Sequence, residues 1–183
     1  MQKVKALEGE KIYLRPLELD DVDILYQSLN NDTQLRRLTG TQKIFSKQEI
    51  KDFVMQSQDM TRVGFGIVSQ EDDQLVGDLA LNNMQFSNNR DANFRIAIFD
   101  QFTGRGYGSE AAKLMLDYGF GILNLHRVEL EVYSINERAI HVYEKVGFKR
   151  EGLKRENWYY NHQYYDSIIM SILEDEYRAL YQK

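Results

Sequence analysis

Thr103-Gly104-Arg105-Gly106-Tyr107-Gly108-Ser109-Glu110 is the segment whose spacing points most directly to chemistry. Alternating glycines let a backbone take positive φ and approach a ligand closely. Placed between a strand and a helix, the segment leaves the first helical N–H groups free. Together with the helix dipole these make an anion site, with phosphate the usual guest. Two better-known phosphate loops do not fit. A P-loop requires Gly-Lys-Ser/Thr, and no lysine separates Gly108 from Ser109. A dinucleotide fingerprint requires Gly-x-Gly-x-x-Gly near the first strand, whereas Gly104, Gly106 and Gly108 alternate after the fourth.

Other reactive residue types are sparse. The chain has no cysteine, so disulfides, thiolate nucleophiles and cysteine metal sites are excluded together. His126, His141 and His162 lack metal-ligand spacing, and no metal is expected. Glu129 and Glu131 share one strand face and Asp78 interrupts an apolar strand. Each is a candidate base, and each is also an ordinary site for an ion pair. Trp158, Tyr159, Tyr160, Tyr164 and Tyr165 either line a pocket for an alkyl-ammonium chain through cation–π contacts or pack on themselves. Arg36 and Arg37 read as exposed charges.

The elements that must position these residues are legible from periodicity. Glu10 to Leu17 reads as a strand, and Val22, Leu25, Tyr26 and Leu29 mark a helix capped by Asp20 or Asp21. Asn30 to Lys43 is a polar loop or short helix. Ser46-Lys47-Gln48-Glu49 is a capping box with a Phe45/Ile50 staple, so a second helix starts there. Strands follow at Val63 to Ser69, Leu75 to Leu81 and Asp91 to Phe99, the last alternating Ala92, Phe94, Ile96 and Ile98. After the glycine loop a helix runs to about Gly121, then a strand from Arg127 to Tyr133. Asn136 opens a helix striped by Ala139, Val142, Tyr143 and Val146, which Gly147 ends. On that stripe Tyr143, taken alone, reads as core. Lys149 to Leu153 and Tyr164 to Leu173 are closing strands joined by Lys154 to Gln163.

The length of 183 residues suits one domain over the whole chain, 1–183. A net charge of −5 argues against a nucleic-acid partner and suits a cationic small molecule. No apolar run approaches the roughly 20 residues that span a bilayer, and no signal core opens the chain. A cytoplasmic location without membrane association is therefore expected.

Three blocks in order resemble the GCN5-related N-acetyltransferase (GNAT) superfamily. They are Asn93-Phe94-Arg95-Ile96-Ala97-Ile98, then Gly104 to Ala111, then Asn136-x-x-Ala139-x-x-x-Tyr143-x-Lys145-x-Gly147-Phe148. The likeness is sharpest from Asn93 to Phe148. Leu116 to His126 is similar to the group of ribosomal-protein (RimJ/RimL-type) and spermidine N-acetyltransferases. The resemblance implies an α/β (α+β) fold: a central mixed, mostly antiparallel sheet of about six to seven strands with four helices, its fourth and fifth strands splayed.

The resemblance also implies an acyltransferase that uses acetyl-CoA as co-substrate and moves acetyl onto a primary amine by direct attack in a ternary complex. The acceptor is a polyamine or other small amine, its pocket formed by the segments that vary in such folds, here Asn30 to Lys43 and Lys154 to Gln163. The alternatives are a peptide N-terminus or a non-catalytic CoA-binding module, and a homo-oligomer is a further expectation. Ile96, Ala97 and Ile98 would offer backbone groups to the pantetheine arm beside a bulge, with the Ile98 N–H as oxyanion donor. Thr103, Gly104, Arg105, Gly106, Tyr107, Gly108 and Ser109 would hold the pyrophosphate, although Thr103 stands where the family carries Gln or Arg. Asn136 would hydrogen-bond the coenzyme. Tyr143 would contact the coenzyme and act as general acid to the departing thiolate, a phenol of pKa ~10 facing a thiol near ~8.5.

Overall fold

The computed structural model describes residues 4–182. Nine strands form one sheet in the order β1-β2-β4-β5-β6-β7-β9-β8, with β3 paired to β4. The strands are β1 (Leu7–Glu8), β2 (Ile12–Arg15), β3 (Gln58–Asp59), β4 (Arg62–Ser69), β5 (Leu75–Gln85), β6 (Asp91–Ile98), β7 (Arg127–Tyr133), β8 (Lys149–Tyr160) and β9 (Gln163–Leu173). The helices are α1 (Val22–Asn31), α2 (Thr33–Thr39), α3 (Lys47–Met55), α4 (Tyr107–Gly121), α5 (Glu137–Val146) and α6 (Glu174–Tyr181). The counts exceed the six to seven strands and four helices expected because β1 and β3 are two-residue strands and two further helices form. The mixed, mostly antiparallel sheet is as expected, with β6–β7 its parallel pair.

Strand alternation sorts the two faces of the sheet. Arg62 stacks on Phe53 of α3, which places Gly64, Gly66 and, through the register, Asp78 and Ala97 beneath α1–α3. On the other face Phe65 meets Tyr118 of α4 edge-on, and Phe94 meets Tyr143 of α5. Leu79, Leu81, Met115 and Leu116 between them are fully buried, each contributing about 1.5–3 kcal/mol by leaving water.

The capping signals hold at α3 and α5 but not at α1, where neither Asp20 nor Asp21 caps the helix and the Asp21 carboxylate binds Arg15 and the Glu18 amide instead. Ser46 accepts the Glu49 amide at 3.2 Å while Glu49 Oε2 accepts the Ser46 amide at 2.8 Å. Gly147 ends α5 at φ 116°, where a Cβ would lie 2.6 Å from Leu180. Two local readings change. Lys154 to Gln163 is not a connecting segment: β8 runs to Tyr160 and turns through Asn161 and His162 alone. Both residues have positive φ, 49° and 65°, the conformation a tight hairpin needs. The polar run Lys154-Arg155-Glu156-Asn157 hid this strand because β8 lies at the sheet edge and is exposed almost throughout. The C-terminal helix α6 was not anticipated. Its acidic first turn and the Leu173 amide, which donates to Glu176 at 3.0 Å, mark its start.

Among the described residues no helix is long and apolar enough to cross a membrane. No group of three or more potential metal ligands occurs there either.

Candidate active site

The parallel ladder between β6 and β7 is three pairs long: Asp91↔Arg127, Ala92↔Val128 and Asn93↔Glu129. Beyond Asn93 the strands part. β7 continues along β9 to Tyr133↔Ser167, while β6 continues along β5 to Ile98↔Gly77. The amide of Phe99 donates to Val76 O at 3.0 Å, so Ala97 and Arg95, in the same phase, also point their amides at β5. The amides of Ile96 and Ile98 therefore face the opening. The expected bulge at Ile96–Ile98 is absent. The register there is continuous, and the irregularity lies at Asn82–Gln85 instead. Gly77 permits the close pairing, since a Cβ on it would sit 2.1 Å from Ala97 O.

The opening is a cavity of about 340 Å³. Ile96, Ala97 and Ile98 form its floor, and Thr103, Gly104, Gly106, Tyr107, Gly108 and Ser109 lie at one end. Asn136, Ala139, Val142 and Tyr143 of the α5 region form one wall, and Gln34, Leu35, Leu38 and Thr39 of α2 the other. The structure thus brings together every expected site residue except Arg105. The Arg105 guanidinium instead lies 5.4 Å from the centre of the Phe102 ring, away from the cavity lining.

The glycine end fits a phosphate. Helix α4 begins at Gly106, at φ 87°, with no side-chain cap, whereas Ser46 caps α3 and Asn136 caps α5. Its first amides therefore remain available to a ligand. Gly104, at φ 78°, has nothing within 4 Å of where a Cβ would stand. Thr103 supports the loop through its hydroxyl, which donates to Asp100 O at 2.8 Å. Local bracing that a longer Gln or Arg would supply is thus provided by a short side chain.

Tyr143 is 9% exposed, and its hydroxyl makes no hydrogen bond to any described residue. Burial pushes its pKa up to about 12, opposed by the charge of Arg95. The phenol is therefore fully protonated at neutral pH, the state an acid must start in. The same shift makes complete transfer to a thiolate near ~8.5 more uphill than an ordinary tyrosine would face. Hydrogen-bond donation to the sulfur as negative charge develops fits this balance. Asn136 already uses its Oδ1 to accept the Ala139 amide at 3.2 Å, and its Nδ2 approaches Leu38 O at 3.5 Å. What it offers a ligand is the rest of its amide group.

The candidate bases are engaged elsewhere. Asp78, 2% exposed, pairs with Arg95. Glu131 binds Lys154 at 2.7 Å and Glu129 binds Arg127 at 2.7 Å. In the aromatic cluster Trp158 is sandwiched between Tyr133, at 4.3 Å, and Tyr160, at 5.2 Å. Both indole faces are taken, so Trp158 is core and not a cation cage. The α2 wall falls within Asn30 to Lys43, one of the two variable segments expected to form the acceptor pocket, although no single residue there marked it. Arg138, His141 and Lys145 also reach the cavity. They were missed although they sit within the third sequence block at helical spacing.

A second, more open polar hollow of about 540 Å³ lies where the β6–β7 ladder ends. It is lined by Asp91, Asn93 and Glu129 with Thr61, Asn83 and Gln85. Asp91 Oδ1 is buried there without a hydrogen-bond partner.

Comparison with known proteins agrees with this geometry. The acetyltransferase (GNAT) domain family matches residues 11–149. The chain is 34% identical over 172 residues to the spermidine N(1)-acetyltransferase of Escherichia coli K12, covering 93% of this chain and 90% of the other. It is 30% identical over 189 residues to a probable N-acetyltransferase, YjcK, of Bacillus subtilis, covering 93% and 98%. The crystal structure of the Vibrio cholerae spermidine N-acetyltransferase, in complex with CoA and spermine, superposes with a TM-score of 0.83 at 29% identity, covering 92% and 99%. A split sheet, an uncapped helix at its mouth and a lone tyrosine in its wall therefore sit in a recognised setting: the chain belongs to the GNAT acetyltransferase family and is an N-acetyltransferase.

Proposed function

We propose that the protein transfers acetyl from acetyl-CoA to a primary amine of a small cationic molecule of the polyamine class, by direct attack and acting as a single domain in the cytoplasm. The observation that carries this reading is the convergence on one cavity of three unsatisfied donor sets. These are the first amides of α4, the outward amides of Ile96 and Ile98, and the Tyr143 hydroxyl.

Each set has a task. The α4 amides hold the pyrophosphate at a helix N-terminus. The Ile98 amide, fixed in a strand, donates to the thioester oxygen as it gains charge, and costs no reorganisation. Tyr143 donates to the departing sulfur. Acetyl-CoA supplies the thioester. Because Asp78, Glu129 and Glu131 are ion-paired, the acceptor loses its proton to water and not to a dedicated carboxylate. With no cysteine, no covalent thioester carrier is available within the chain, in keeping with direct attack.

A cationic acceptor is supported by the second hollow, where Asp91, with one carboxylate oxygen lacking a hydrogen-bond partner, stands at the closed end of the split. The relatives named for spermidine acetylation point the same way. Thiol release from acetyl-CoA, followed across spermidine, spermine, amino acids and short peptides with free N-termini, tests the reading. Release fastest with a polyamine supports it. Release fastest with peptides assigns the acceptor to protein N-termini, and no amine-dependent release overturns it.

A further inference from the structure

Helix α2 lies across the mouth of the split, and its two ends are tied to different ones of the parted strands. At its start Asp32 accepts the Asp100 amide at 2.9 Å, just beyond β6. At its end Gly40 packs so closely against Tyr133 of β7 that a Cβ would lie 2.4 Å from the phenol oxygen. Between these ties the Asn136 Nδ2 at the cap of α5 donates to Leu38 O at 3.5 Å. The face that α2 turns to the cavity carries Gln34, Leu35, Leu38 and Thr39, at i, i+1, i+4 and i+5. Thr39 directs its hydroxyl back onto Leu35 O at 2.8 Å. Leu35, 5% exposed, belongs to the core. Leu38 is half-buried beside that core and is the apolar side chain this wall leaves to the cavity.

We infer that Leu38 sets the length of the acyl group, admitting acetyl and excluding longer chains. This role rests on the reading of the cavity as the site of acetyl transfer. A thioester carbon is planar and carries three substituents. Its oxygen faces the strand amides of the β6 floor, and its sulfur faces Tyr143 on the α5 wall. The third substituent, the acyl chain, is left facing the opposite wall, which is α2. The amine attacks perpendicular to the thioester plane, so a stop within that plane limits the chain without closing the acceptor's path. A helix anchored to both strands does not yield to an added methylene as a loose loop would. An apolar pocket of this kind discriminates by about 10–200-fold per methylene.

Initial rates with acetyl-, propionyl- and butyryl-CoA, on the amine that the acceptor panel ranks first, read this directly. Wild type should show a kcat/KM for propionyl-CoA at least about tenfold below that for acetyl-CoA, and lower again for butyryl-CoA. Leu38→Ala should shrink the acetyl-to-propionyl ratio by about five- to tenfold, and the milder Leu38→Val by about two- to threefold. The ratio of two donors on one enzyme sample does not depend on the fraction that is folded, so lost stability cannot imitate the effect. Leu153→Ala, on an exposed side chain of β8 outside the cavity, is the control and should leave the ratio intact. Equal use of the three donors by wild type, or an unchanged ratio in Leu38→Ala, overturns the role of Leu38 while leaving acetyl transfer standing. No transfer from any donor to any amine removes both.

Discussion

Asp32 Oδ2 accepts the backbone amide of Asp100 at 2.9 Å while its Oδ1 accepts the amide of Leu35 at 2.7 Å. One carboxylate thus caps α2 and ties that helix to the turn between β6 and the glycine loop. It fixes the distance between the two sides of the cavity. Asp32→Ala should cost about 1–2 kcal/mol of stability, the usual loss for an N-cap. It should also raise the KM for acetyl-CoA, as denaturant melts and initial rates would show. A variant that loses stability with KM unchanged would mean that α2 does not hold the cavity's width.

Tyr143→Phe keeps the ring packed against Phe94 and Phe148 and removes only the unpartnered hydroxyl. The kcat should fall about 10²–10³-fold, the scale of a lost acid, with CoA affinity within about twofold of wild type. Steady-state rates and calorimetry check this together. A kcat within about threefold of wild type would return Tyr143 to the core, where its position on the α5 stripe alone would put it.

The pH profile of kcat follows from the same residue. Because burial holds Tyr143 at about 12, its deprotonation imposes no descending limb in the range where the enzyme is assayed. Activity should rise with pH as the free amine fraction grows, then level off below pH ~10. A bell with a descending limb near ~8–9 in the wild type, absent in a variant lacking the phenol, would show a tyrosine far more acidic than its surroundings imply.

Gly40 sits at φ 70°, and a Cβ there would lie 2.4 Å from the Tyr133 hydroxyl and 2.6 Å from its ring. Gly40→Ala combines left-handed strain with a clash against a ring already stacked on Trp158. A loss of about 2–4 kcal/mol is expected, measurable as a lowered Tm. Gly152→Ala, in open space on β8 with no positive φ, is the comparison and should be near neutral.

Acid sensitivity has a specific contributor in Glu151, held at about 2 first by its hydrogen bond to Arg127 and then by Ser171. A depressed carboxylate stabilises the fold above its unfolded pKa of ~4.3, and that stability is lost as pH falls towards the folded value. Stability should therefore decline between about pH 4.5 and 2, with a smaller slope in Glu151→Gln. The group is substantially exposed, so the effect is modest and shrinks with added salt. Equal slopes in the two proteins would exclude the pair as a source.

The sequence by itself determined what depends on local periodicity and on a fixed local motif. The Ser46/Glu49 box, the Asn136 cap, the Gly147 stop and the run of β7 are settled within a few residues of chain, where i to i+3 and i to i+4 geometry decides. The glycine loop was legible for the same reason: positive φ at Gly104 and Gly106 is a local demand. Only the tertiary structure decided which residues face one another. That α2 walls the cavity depends on Asp32 reaching Asp100, 68 residues away. That Trp158 is core depends on Tyr133 and Tyr160 covering both faces, and that Asp78 is spent depends on Arg95 from the next strand.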